Sequence, residues 1–455
     1  MTRATHRSAE EIGRTEVGPR PLPPLGEPRV GVPPAGVDTA LPNGLRVIAV
    51  RHGQVPMVEM RLRIPFAGEA EEHPAQAEVL AETLLTGTAR RDRVKMDTDL
   101  AAVGGDLHAV VDPERLSIAG DALASGLDTL LDVLADALTG ATYADDEVNA
   151  ERARLVERIG VARSQPRVIA REELQRHRYG DHPYTREVPQ AEDVAEVTPE
   201  QVRALHSAAV LPRGSVLVLV GDIDPHVVIG EVERALAGWK SEDSAREMPA
   251  LPLVTGGDVR LVHRPGAVQS QLRFSAQALA RTDERYPALQ IANLVFGGYF
   301  SSRLVENIRE DKGYTYGAHS SFEFTKGNGT LLVDADTASE VTAAALLETR
   351  YELARMALVP PSESEVESAR QYAIGGLLTS TASQSGLAST LSALAAAGLD
   401  QNWLTAHAER LRDVTVEQVA EAAKLFAPSE FTGIVVGDAD KLADELRLLG
   451  GVELP

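Results

Sequence analysis

The 455 residues read as an α+β protein made of two tandemly duplicated domains. Strand-like alternation, as in Val58, Met60 and Leu62, interleaves with helical periodicity at about 75–86, 124–138 and 143–163. Hydrophobic residues make up 44% of the chain and charged residues 25%, which suits a globular core and excludes wholesale disorder or a membrane bundle. Most telling is an internal repeat: EVTPEQVRALHSAAVLPRGSVLVLVGDID (196–224) returns as DVTVEQVAEAAKLFAPSEFTGIVVGDAD (413–440). Thr198 and Thr415 stand 217 residues apart, Gly221 and Gly437 216, so a single deletion relates the copies. A period this long means a duplicated domain, not a solenoid.

In chain order, residues 18–34 carry seven prolines, which deny helix and ladder hydrogen bonds, so 1–37 reads as a Pro-rich, flexible N-terminal arm or a strap across a partner. The Asn43-Gly44 turn opens a strand pair over 46–62, echoed by VRLVHRPGAVQSQLRFS (259–275). Further strands are expected near 107–119 and 215–221. The first domain spans 38–240, the stretch SEDSAREMPALPLVTGG (241–257) is the linker, and the second domain spans 258–455.

Composition removes several classes of function. The net charge of −22 repels nucleic acid and anionic membrane surfaces. With no Cys, disulfides, thiolate nucleophiles and Cys-ligated metal clusters are out. Aromatic residues at 4% leave little for a stacking platform. The opening MTRATHRSAEEIG has no apolar core, and no apolar run approaches the ~18 residues that span a bilayer, so a cytoplasmic chain without membrane contact is expected.

The segment NLVFGGYFSSRLVENIREDKGYTYGAHSSFE (293–323), set in a duplicated domain of this size, resembles the pitrilysin/insulinase (inverzincin) zinc metallopeptidases. The likeness is closest to the short-chain branch that includes mitochondrial processing peptidase subunits, and it extends over about 38–450. It implies a processing-peptidase-like metallohydrolase fold, in which each domain is a mixed, mostly antiparallel sheet packed with helices.

Active members of that family hold Zn²⁺ with an H-x-x-E-H helix and a later Glu, the motif's own Glu activating water. Aligned on Gly87-Thr88, the two His positions are Glu78 and Glu82, the catalytic Glu position is Ala81, and Arg158 occupies the third-ligand position, with Glu157 one residue away. No His in the chain begins an H-x-x-E-H, and His73, His108 and Glu82 are a scattered set. No metal is expected. Glu78 and Glu82, at i and i+4, stack two like charges on one face. Either Arg158 pairs with one or both, filling the former site, or the face is simply solvated.

The resemblance also implies a surviving second-half pair, Arg309 and Tyr316 (Tyr314 in the other register), whose donors reach a partner's substrate and its developing oxyanion. Gly297, Gly298, Ser301 and Ser302 match the family's loop and are expected to line the substrate path. GGDLHAVVDPERLSIAG (104–120) resembles the family's edge strand, so Gly104, Gly105, Leu107, His108 and Ala109 are expected to bind an extended peptide by β-augmentation. RHRYGDHPY (176–184) reads as structural because Pro183 holds His182 extended.

Together these features imply a non-catalytic subunit of a heterodimeric metallopeptidase, inactive alone. Its partner would be a homologous H-x-x-E-H subunit that carries the zinc, and this chain would need no cofactor of its own. A structural or interaction subunit without proteolytic role is the alternative.

Overall fold

The computed structural model describes residues 36–455. Two six-stranded sheets organise it. The first contains β1 (Gly36–Ala40), β2 (Arg46–Arg51), β3 (Met57–Pro65), β4 (Asp106–Asp112), β5 (Arg115–Leu123) and β6 (Val216–Gly221), in the order β1-β2-β6-β3-β5-β4. Only β2 and β6 run parallel; the other neighbours are antiparallel. The second contains β7 (Val259–His263), β8 (Gln269–Gln277), β9 (Thr315–Thr325), β10 (Asn328–Ala338), β11 (Phe431–Gly437) and β12 (Val452–Glu453), in the order β12-β7-β11-β8-β10-β9. Strand order repeats from β2 to β7 onward, as the duplication requires.

Side-chain alternation decides which faces are covered. On β3, Val58, Met60, Leu62 and Ile64 are buried while the residues between them are partly exposed, the period of a strand with one core face. The central β6 has no polar side. Its Leu217 and Leu219 join the first lobe's main core, whereas Val218 and Val220 join Ile48 and Val50 beneath a helix of the second lobe, α4 (Gln384–Ala396). The exchange is reciprocal: α3 (Pro166–Tyr179) of the first lobe lays Ala170 and Leu174 on Ile434 and Val436 of β11. Arg178 of α3, with only 1% of its side chain exposed, pins this contact through Ser275, Thr330 and a 2.9 Å ion pair to Glu323.

Several expectations change. The strands over 46–62 and over 259–275 are not paired: β6 lies between β2 and β3, and β11 between β7 and β8. Each inserted strand is apolar on both faces and so is stable only between neighbours. The strand near 107–119 is a hairpin, because the Asp112 carboxylate accepts the N–H groups of Glu114 and Arg115 and closes a turn at Pro113. β1 starts at Gly36, inside the segment assigned to the Pro-rich arm, once the prolines stop and Val37 to Ala40 can pair with β2. The rest of that arm lies outside the described residues. No described helix is long and apolar enough to cross a membrane.

Candidate functional site

Helix α1 (His73–Thr83) carries Glu78, Ala81 and Glu82, the positions aligned with the zinc motif in the sequence. It buries Ala75, Ala77, Val79, Leu80 and Ala81, which leaves Glu78 and Glu82 on its half-buried face beside β4 and α2 (Asp145–Arg163). Its C-terminal end is anchored below the Gly87-Thr88 turn. There the Thr88 hydroxyl donates to Asp136 at 2.7 Å, and Arg90 and Arg91 add ion pairs of 2.9 and 2.7 Å to the same carboxylate.

Arg158, on α2, donates to Glu82 at 2.7 Å. The guanidinium thus bridges to one of the two glutamates. Glu78 has no ion pair or hydrogen bond among the described residues, and burial, reinforced by the Glu82 charge, pushes its carboxyl up to about 7. Glu157 is exposed. This donor set does not fit Zn²⁺. It offers no imidazole, Ala81 has no group to activate water, and a cation occupies the third-ligand position. His73 sits in the first turn with its Nε2 2.8 Å from the Phe66 carbonyl oxygen, and His108 lies 3.6 Å from Asp106 on β4, so neither joins Glu82.

Elsewhere, His263, Asp438 and Asp440 place ligand atoms within 4.8 Å of one another. The His263 Nδ1 accepts the Ala439 N–H, and Lys441 stands 3.6 Å from Asp438, so this is a helix-start cluster with its own cation.

The second lobe presents the Arg/Tyr pair differently. Arg309 sits in a π-helical turn (Glu306–Asp311) where the Lys312 N–H reaches the Asn307 carbonyl five residues back, a local widening common at functional sites. Its guanidinium lies 4.8 Å from the centre of the Phe300 ring and 3.4 Å from Glu310. Tyr316, on edge strand β9, is 98% exposed. Tyr314, the other register, packs against the second core. Arg309 and Tyr316 share no hydrogen bond or ion pair with Glu78, Glu82 or Arg158 among the described residues.

Within the loop, Gly297 and Ser302 are buried. A Cβ on Gly297 would meet the Ser320 hydroxyl at 2.9 Å, and one on Gly298 the Asn293 amide at 3.0 Å, so close packing accounts for both glycines. Ser301 and Phe300 are exposed. Phe300 is not among the loop residues expected to line the substrate path, although it lies two residues beyond Gly298 in the same segment.

β4 is a sheet edge, hydrogen-bonded to β5 alone. Gly104, at φ +61°, ends the preceding helix, and Gly105 passes so close to the Asp121 carbonyl that a Cβ would lie 2.7 Å from it. Beyond them Leu107 turns inward, His108 outward, and Ala109 is half-buried. The tip of the β9–β10 hairpin meets the β4–β5 turn, where the Lys326 N–H donates to Glu114 at 3.2 Å.

Residues 48–192 match the family described as Insulinase (Peptidase family M16), and residues 196–373 match the Peptidase M16 inactive domain. An uncharacterized zinc protease of Streptomyces coelicolor is 28% identical over 62% of this chain, a match spanning 63% of that protein, less than two thirds of its length. One from Mycobacterium leprae is 25% identical over 88% of this chain and 91% of its own. Among solved structures, a peptidase M16 inactive domain from Pseudomonas fluorescens superposes with a TM-score of 0.79 at 21% identity, covering 89% of this chain and 98% of the other. A protease from Helicobacter pylori gives 0.81 at 18% identity, covering 89% and 100%.

Proposed function

Because this chain belongs to the insulinase family of peptidases, we propose that it is a non-catalytic subunit that lends Arg309 and Tyr316 to a homologous H-x-x-E-H subunit. The observation that carries the reading is the contrast between lobes. In the first, Glu82 is paired with Arg158; in the second, Tyr316 stands almost wholly in solvent, with no side-chain hydrogen bond among the described residues. A phenol and a guanidinium presented this way can donate to a peptide carbonyl and to its tetrahedral form. The free edge of β4 adds a strand-pairing surface for an extended peptide. Zinc belongs to the partner, and the location is cytoplasmic.

The test is reconstitution with an H-x-x-E-H homologue and a fluorogenic peptide. Neither chain alone cleaves, the mixture does, and Arg309→Ala lowers kcat by about tenfold or more. Stable association without any turnover supports the structural-subunit alternative, and zinc-dependent cleavage by this chain alone defeats both readings.

A further inference from the structure

The edge strand that carries Tyr316 contains one residue too many. Along β9 and β10, Ala318 faces Ala335 and Thr315 faces Thr337. Between these pairs β10 supplies only Asp336, while β9 supplies both Tyr316 and Gly317. This is a β-bulge, which changes the side to which neighbouring residues point. On the regular part of β9, Ala318 and Ser320 are buried and His319 is exposed. Continuing that alternation backward would turn Tyr316 inward and Thr315 outward. The bulge reverses both: Thr315 is buried and Tyr316 is exposed.

The equivalent strand of the first lobe has no such feature. β4 pairs with β5 without interruption from Asp106 to Asp112. Each of the two edge strands follows a glycine of positive φ, Gly104 at +61° and Gly313 at +65°. Three residues on from the first, Leu107 is buried; three residues on from the second, Tyr316 is exposed. The irregularity is confined to the lobe bearing the Arg/Tyr pair.

Thr315 closes the bulge through its own side chain. The Oγ1 lies 2.8 Å from the Gly317 carbonyl oxygen and 2.7 Å from that of Asp336, within donating distance of both, and it accepts the Gly317 N–H at 3.1 Å. One hydroxyl therefore serves backbone groups that the extra residue removes from the ladder. We propose that Thr315 is a positioning residue: its hydroxyl holds the bulge that turns the Tyr316 phenol away from the core. The kinetic part of this inference rests on the proposed role of Tyr316; the conformational part does not.

Nitration of the full chain by tetranitromethane, followed by peptide mass spectrometry, reads the bulge directly. Tyr351 and Tyr372, both about half exposed, are internal references. Thr315→Val should lower Tyr316 labelling about fivefold relative to Tyr351, while Thr315→Ser keeps it. Thr315→Ala removes the hydroxyl without a branched side chain and should give the same loss, which covers the case of a Val variant that does not fold. Deleting Gly317 in either background sets Tyr316 directly before inward Ala318 and opposite Asp336 in a regular ladder, and should restore the labelling. Unchanged labelling of Tyr316 in the folded Thr315→Val and Thr315→Ala variants overturns the proposal.

In the reconstituted complex, Thr315→Val should reduce kcat about tenfold with KM within about twofold, Thr315→Ser should restore it, and the Thr315→Val/Tyr316→Phe pair should be no worse than Tyr316→Phe alone. Wild-type kcat in Thr315→Val overturns the positioning role. If Tyr316→Phe itself keeps full kcat, the functional reading of Tyr316 fails, and the labelling result decides the bulge on its own.

Discussion

Arg158 reaches Glu82 from the neighbouring helix at 2.7 Å, while Glu78, one turn earlier on the same face, has no ion pair among the described residues. The pair is partly solvated, so Arg158→Ala should change unfolding free energy by less than about 1 kcal/mol. Placing His at 78 and 82 and Glu at 81 and 158 should instead create a site for one Zn²⁺ per chain, seen by isothermal titration. Absence of binding in the folded variant would show that α1 is not the former zinc helix.

Glu78 makes stability depend on pH. Its folded value of about 7 lies above its ordinary 4.5, so the folded chain holds the proton more tightly than the unfolded one. Stability from this group is present below about pH 4.5 and is lost as pH rises through 7. Glu78→Gln should raise stability by about 1–2 kcal/mol at pH 8 and have little effect near pH 4. Urea denaturation at the two pH values measures the difference.

Asp136 has the opposite sign. Burial pushes its carboxyl up, but bonds from Thr88, Arg91 and Arg90 prevail and hold it below the usual range. Its contribution is complete at neutral pH and fades as acid protonates it. Asp136→Ala should cost about 3 kcal/mol at pH 7, because two arginines and a threonine lose a common acceptor, and the loss should shrink below pH 4. Thermal unfolding across that range is the check.

Arg178→Ala leaves Glu323 facing a buried void between the lobes. It should lower stability by about 3–5 kcal/mol in urea titrations, whereas Arg178→Met with Glu323→Leu should recover most of the loss. A double variant as unstable as the single one would place the stabilising interaction elsewhere.

Much of this architecture was legible from particular residues. The run Val216–Val220 has no polar face, and it became a central strand covered on both sides. Glu78 and Glu82 were legible as neighbours on α1, with Arg158 in reach. Strand order was not, since nothing local in β2 or β3 reveals that β6 will insert between them. The Asp112-Pro113 turn was present in the letters but hidden by the apolar residues either side. The tight packing of Gly297 was not legible, because a Gly-Gly dipeptide suits an open loop and a close packing contact equally well. The bulge depends on how two strands count against each other, and neither strand records it alone.

The crossed helices also bear on how such a molecule could have arisen. A half-length ancestor with this topology would have had Val218 and Val220, or their counterparts Ile434 and Val436, bare on one side of its sheet. A second copy, offering its helix around a twofold axis, would have supplied the missing cover for both. Within a single polypeptide that embrace is intramolecular, so the cover of each sheet no longer depends on the concentration of a second chain.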